Sequence, residues 1–326
     1  MGKGSCQASE AGDNCDEHFR AYDESSKYAE RVRQHYKLMR THQTLEFNKR
    51  IREKYSFEDG KERAKMTVKQ AFDELENYVD SSDPDLGLPN SQHALQTAEA
   101  MRAAGLPDYL QLAGLIHDFG KIMYLWGTEE EGQVGTAEGP QWALGGDTWA
   151  VGCAIPDSVV YTEFNKLNPD MQHPVYSTEL GMYSPGGCGL DKLMFAFGHD
   201  EYMYLMLKAN SCQLPEIALK VIRYHSAYCW HDKGAYGQFL RPEDTEVLET
   251  VRTFNKFDLY TKDEENVIDP ACVWPYWQGE LQKRESLLCE PVSETSDLLC
   301  TLSLVMWGAE PAAAGAASQK PSTGDV

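Results

Sequence analysis

Leu110-Gln-Leu-Ala-Gly-Leu-Ile-His-Asp-Phe-Gly-Lys121 places two metal-capable side chains, His117 and Asp118, next to each other in an otherwise apolar run. Embedding both among Leu112, Leu115, Ile116 and Phe119 carries a desolvation cost that only close partners offset. A cation is the simplest such partner. Working outward, more residues of the same kind appear: His93 upstream, then His199, His225 and Asp258 downstream, each in its own apolar, helix-like segment. Any one of them alone reads as a core side chain satisfied by hydrogen bonds. Six positions on five segments point to a shared metal centre, because every additional buried polar group adds its own cost.

Four imidazoles and two carboxylates exceed what one tetrahedral ion takes. They suit two octahedral first-row metals with positions left open, and the nitrogen-rich set favours iron or manganese over magnesium. Neighbouring residues on a helix point about 100° apart. Asp118 is therefore expected to bridge two metals through both oxygens while His117 binds one. Lys121 follows His117 by four positions and Lys262 follows Asp258 by four, which puts each on its ligand's helical face. Snorkelling at the surface is the other reading, chiefly for Lys262. A cation beside a dimetal centre is repelled, which would lower the pKa of Lys121 and make it a proton acceptor. Asp200 repeats the His-Asp dipeptide and reads as solvent-facing or as a hydrogen-bond partner behind the ligands. His225, Cys229 and His231 mimic a zinc triad without a matching second cluster. His18, His35, His42 and His173 have no consistent partners and read as surface residues.

Around these positions the periodicity is helical. Segments 20–55, 68–79, 93–101, 190–209, 215–229 and 243–260 carry it, with a further helix through His117, and nothing alternates long enough for a substantial sheet. The expected fold class is all-α: a mostly helical, compact domain. Residues 1–16 read as a disordered N-terminal segment, 17–285 as the catalytic domain, and 286–326 as a partly disordered C-terminal extension. An acidic stretch near 127–141 has few evident apolar anchors and reads as a long loop, a candidate lid. The net charge of −21 among 326 residues argues against nucleic acid and anionic membranes as partners. Nine scattered cysteines without a Cys-x-x-Cys pair support neither a disulfide framework nor a zinc ribbon. A reducing, cytoplasmic setting and a monomeric state are expected.

The order His…His-Asp…His…His…Asp resembles the metal-binding signature of the HD-domain superfamily. Longer blocks resemble one branch of it, the myo-inositol oxygenases: Tyr36-Lys-Leu-Met-Arg-Thr-His-Gln-Thr44, Ser82-Asp-Pro-Asp85, His117-Asp-Phe-Gly-Lys-Ile122, Gly146-Asp-Thr148, Gly198-His-Asp-Glu-Tyr202 and Phe254-Asn-Lys-Phe-Asp-Leu-Tyr-Thr-Lys262. The resemblance implies an HD-domain-like helical fold around a mixed-valent di-iron centre, with O2 as co-substrate. It also implies ring-opening, four-electron oxidation of myo-inositol to D-glucuronate. One iron would be held by His93, His117, Asp118 and Asp258, the other by Asp118, His199 and His225. Substrate contacts would fall on Arg20, Asp80, Ser81, Ser82, Lys121, Gly146, Asp147, His225, Ser226 and Lys262, with Lys121 assisting proton transfer. The ligand set alone would serve an HD-type metal-dependent phosphohydrolase equally well; the acidic chain and the lack of an Arg/Lys cluster near the ligands weigh against that. The family's connection between Lys121 and Gly146 is shorter, and its members end soon after the segment matching Tyr276-Trp-Gln-Gly279, with a Trp closing the fold; Trp307 is a candidate for that role.

Overall fold

The computed structural model describes residues 22, 26–57, 64–85, 87–136, 139–282 and 303–306. Arg20, the expected disordered segment 1–16 and Trp307 lie outside the described residues. The polar run expected over 20–55 resolves into two helices, α1 (Ala29–His42) and α2 (Leu45–Lys54). They part at Thr44, whose side chain accepts from the Phe47 N–H and so caps α2. Strand β1 (Ala64–Thr67) leads into α3 (Val68–Glu74), closed at its start by a capping box between Thr67 and Gln70. Pro89 and Pro107 immediately precede α4 (Asn90–Ala103) and α5 (Asp108–Ile116).

Downstream, the helix expected over 190–209 begins only at His199, as α6 (His199–Ala209). The one expected over 215–229 breaks at His225-Ser226-Ala227 into α7 (Glu216–Tyr224) and α8 (Tyr228–His231). Long α9 (Thr245–Tyr260) and α10 (Pro270–Gln282) follow. Strand β2 (Ser303–Met306), inside the C-terminal extension, pairs antiparallel with β1, Thr67 opposite Ser303 and Ala64 opposite Met306. Apart from this ribbon the fold is helical, as the periodicity indicates.

The core sits where α4 packs on α5, α6 on α7, and α9 across α4 and α7. Leu95, Leu115, Phe119, Met203, Val221, Ile222 and Phe254 are fully or almost fully buried there. Gly120 allows the turn after α5 to lie directly on the first residue of α6, since a Cβ there would collide with the His199 carbonyl. That contact carries the Asp118–Lys121 segment up to His199. Trp277 in α10 is buried and donates from Nε1 to Glu99 of α4 at 2.8 Å, so this residue closes the helical body.

The acidic stretch is better anchored than its composition suggests. Gln133 is buried and accepts from the Tyr55 hydroxyl at 2.7 Å, Glu131 pairs with Lys54, and Trp142 stacks on His42 and packs on Phe47. It is docked on α1 and α2, contrary to the expectation of a loose lid. Cys153, Cys188 and Cys229 are free thiols. Among the described residues, no helix is long and apolar enough to cross a membrane.

Candidate metal centre

All six ligand candidates are buried and converge. His93 projects from the first turn of α4 and Asp258 from the last turns of α9. The other four stand at helix ends rather than within helices: His117 caps α5, Asp118 opens the tight 3-10 turn Phe119–Leu125, His199 begins α6 and His225 caps α7. This corrects the in-helix geometry expected for His117 and Asp118. At a helix end the backbone turns, and consecutive side chains can face one cavity.

Asp118 divides the set in two. Its Oδ2 lies 3.6 Å from Nε2 of both His93 and His117, while its Oδ1 lies 3.0 Å from His199 Nε2 and 3.6 Å from His225 Nε2. On the first side Asp258 Oδ1 adds a fourth donor, 2.9 Å from His93 Nε2 and 3.3 Å from His117 Nε2. Two groups able to hold a metal ion result, His93-His117-Asp118 and Asp118-His199-His225, sharing one carboxylate.

Ring tautomers indicate what these donors want. The Nδ1 atoms of His117, His199 and His225 face the carbonyls of Gly114, Leu144 and Ile222 at 2.8, 2.6 and 2.7 Å. A carbonyl only accepts, so each Nδ1 carries the proton and each Nε2 lone pair points into the centre. His117 and His93 bring Nε2 atoms to 3.2 Å, and His199 and His225 to 3.1 Å. Lone pairs this close oppose one another unless an electrophile lies between them. Burial works against ionising Asp118 and Asp258, yet Lys121 and His117 for the first, and His117 and His93 for the second, hold both well below the usual carboxylate range. Ionised carboxylates are the state in which Asp118 and Asp258 can bind a metal. The residues fit a pair of ions.

Lys121 behaves differently from the expectation. Its partner across the turn is Asp118, at 2.8 Å, not His117; Nζ also reaches Asp80 at 2.7 Å and donates to Asn90 Oδ1 at 2.9 Å. Burial pushes its pKa down, but Asp118 and Asp80 outweigh that and hold it above the ordinary lysine value. In this arrangement Lys121 is a cation and a donor. Lys262 is buried, not snorkelling at the surface, and its Nζ donates to Asp83 at 2.7 Å.

These groups line a cavity of ≈ 420 Å3, counted out to its open mouth. Asp80, Ser82, Lys121, Gly146, Asp147, Ser226 and Lys262 all lie on its wall beside the metal donors. Ser81 does not; its hydroxyl turns away to His35. Asp200 is buried rather than solvent-facing, and burial raises its pKa. His231 of the supposed zinc triad instead hydrogen-bonds the His225 carbonyl at 2.9 Å.

Further contributors lie outside the set of site residues read from sequence. Tyr228 donates its hydroxyl to Asp258 Oδ2 at 3.2 Å, and Asn90 donates to Asp118 Oδ2 at 3.0 Å while accepting from Lys121. Tyr22, Tyr36, Asp83 and Pro84 also lie on the wall. Asn90 is the first residue of α4, and its side chain turns onto the carboxylate that the two groups share.

Comparison with known proteins agrees with this geometry. A family model described as Myo-inositol oxygenase matches residues 29–285. Inositol oxygenases of Mus musculus and Homo sapiens are each 46% identical over 267 residues, 81% of this chain and 88% of theirs. A probable inositol oxygenase of Oryza sativa subsp. japonica is 41% identical over 81% of this chain and 82% of its own. With its ligand order, its two linked donor groups and these similarities taken together, the chain belongs to the myo-inositol oxygenase family.

Proposed function

We propose that this chain is an inositol oxygenase that opens the ring of myo-inositol with O2, giving D-glucuronate and water in a four-electron oxidation. The observation that carries the reading is the division of Asp118 between two histidine pairs beside a small, polar cavity. His93, His117, Asp258 and Asp118 Oδ2 would hold one iron; Asp118 Oδ1, His199 and His225 would hold the other. Two bound irons would supply Lewis acidity toward vicinal hydroxyls and redox chemistry toward O2.

The protein's own part is binding, orientation and exclusion of water. A ring bearing six hydroxyls needs donors and acceptors in fixed places. Asp80 and Asp147 accept, Ser82 and Ser226 do both, and Lys121 donates while remaining charged. Arg20 is an additional contact in this reading. Lys121 Nζ, held by Asp80 and Asp118, is positioned to stabilise a substrate oxygen as it loses its proton. The deep placement of Asp118, His117 and Asp258 keeps bulk water off the reacting carbon. The alternative, a phosphohydrolase, needs cations available to a phosphate. Here Lys121 is committed to two aspartates and Lys262 to Asp83, so neither favours that anion. A cytoplasmic monomer acting on a small neutral polyol, without nucleic-acid or membrane partners, belongs to the same reading; the net charge of −21 weighs against the two anionic partners.

Oxygen-electrode traces on freshly purified protein, paired with emission-spectrometric metal analysis, test the proposal. About two irons per chain and one O2 consumed per myo-inositol are expected. Sustained turnover under strict anaerobiosis, or phosphate release from nucleotides without O2 uptake, overturns it.

A further inference from the structure

His35 is buried, polar and in contact with none of the metal donors. Read as a surface residue from sequence, it lies on the inner face of α1, between two turns that reach the cavity. Its Nδ1 meets the Ser81 hydroxyl at 2.8 Å and its Nε2 the Gly145 carbonyl at 3.3 Å. The carbonyl only accepts, so Nε2 carries the proton and Nδ1 accepts from Ser81. One neutral ring thus ties the turn bearing Asp80 and Ser82 to the turn bearing Gly146 and Asp147. Burial lowers its pKa to about 4 against the pull of Asp80 and Asp147, and Arg31 adds to the lowering, so the ring stays neutral near pH 7.

The fit around His35 is close on every side. A Cβ at Gly146, where φ is +92°, would lie 2.8 Å from His35 Nε2; one at Gly145 would lie 2.8 Å from Asp80 Oδ2. The two turns therefore touch, and their spacing depends on what separates them. The adjacent residue, Tyr36, donates to Asp147 Oδ1 at 3.1 Å, so α1 holds the second turn at two points. Anchoring the Gly145 carbonyl on α1 also directs the Gly146 N–H, in the same peptide plane, away from that helix.

We infer that His35 is a positioning residue for substrate, clamping the Asp80–Ser82 turn and the Gly145–Asp147 turn at the separation that one hydroxylated ring requires. The substrate half of this inference rests on the inositol reading above; the clamp itself does not.

His35→Leu keeps bulk but offers no hydrogen bond, whereas His35→Gln retains one donor and one acceptor. In His35→Leu we expect KM for myo-inositol to rise about tenfold, the size of two modest hydrogen bonds lost together, with kcat within about threefold of wild type. His35→Gln should recover most of the loss. Amide hydrogen exchange on the same proteins without inositol should speed up at 80–82 and 145–147 while the core helices stay protected. An unchanged KM in His35→Leu, equal impairment in His35→Gln, or exchange accelerated throughout the chain each overturns the inference. If His35→Leu does not fold, Ser81→Ala removes the Nδ1 contact alone; it should raise KM about threefold, and no change counts against the clamp. Wild-type protein without inositol-dependent O2 uptake would instead sink the functional reading, and the exchange data would still decide the clamp.

Discussion

His199 and His225 bring their Nε2 atoms to 3.1 Å while both Nδ1 hydrogens are committed to main-chain carbonyls, those of Leu144 and Ile222. With both rings neutral no proton lies between the two nitrogens, an arrangement that suits a cation. On the other side of Asp118, His117 and His93 bring Nε2 atoms to 3.2 Å, and there only His117 has its Nδ1 committed to a carbonyl, that of Gly114. His225→Ala should therefore lower metal content from about two ions per chain to about one, and Asp118→Ala should lower it further because both groups share that carboxylate. Chelation should lower the melting temperature of wild type more than that of Asp118→Ala, since only a protein that binds the ions in its folded state gains stability from them. Unchanged metal content in Asp118→Ala would contradict a shared carboxylate.

Lys121 lies between Asp80 and Asp118, so replacing it separates electrostatics from metal binding. Lys121→Met keeps the stem and deletes the cation. Metal content should stay near two, because no donor is touched. The kcat should fall by about 10²-fold or more if the ammonium assists proton transfer. Stability should also drop, by about 3–5 kcal/mol, because Asp80 and Asp118 lose their buried counter-charge. Lys121→Arg should not restore activity, since a planar guanidinium cannot occupy the point between two carboxylates and Asn90. Parallel metal analysis, steady-state kinetics and urea unfolding separate the three effects.

The ligands were legible in sequence because chemistry marks them: His117, Asp118, His199, His225 and Asp258 sit among apolar neighbours that a polar side chain joins only at a cost. The backbone at those ligands was not legible. Four of the six stand at helix ends, and the break after His225, at Ser226-Ala227, is announced by no proline or glycine. His35 was misassigned for a related reason. Its partners, Ser81 and Gly145, are 46 and 110 residues away in the chain, and a helical face does not reveal which loop will cover it. Asn90 and Tyr228 escaped likewise, because each acts through a ligand rather than as one.

Away from the centre, Glu201 offers a clean pH experiment. Buried at the start of α6, it bonds Arg52 at 2.6 Å and Arg223 at 2.6 Å. Burial alone would raise its pKa, but the two guanidinium groups reverse that and lower it from 4.5 to about 2. A folded-state pKa below the unfolded one means the stabilisation is fully present above about pH 4.5 and fades as pH falls toward 2. The size is on the order of 3 kcal/mol at neutral pH. Glu201→Gln should be less stable than wild type at pH 7, and the gap should close as the medium is acidified. Urea midpoints for both proteins between pH 2 and 7 measure it; a pH-independent gap would show that shape rather than charge is responsible.

The docked acidic stretch separates stability from catalysis. Gln133 is fully buried against Tyr55, yet none of the described residues of 127–139 is among those lining the cavity. Replacing Gln133 with Ala leaves the Tyr55 hydroxyl buried without its acceptor, which should cost about 1–3 kcal/mol. A mobile lid would instead alter substrate entry, and its disruption would change KM with little loss of stability. Gln141 stands just downstream and accepts from both the Tyr78 hydroxyl and the Ser81 N–H, so the stretch ends on the Asp80–Ser82 turn. Gln141→Ala should therefore raise KM, whereas Gln133→Ala should lower the melting temperature and leave KM within about twofold. Michaelis curves and thermal scans on the two variants distinguish the roles. A raised KM in Gln133→Ala at unchanged stability would restore the lid.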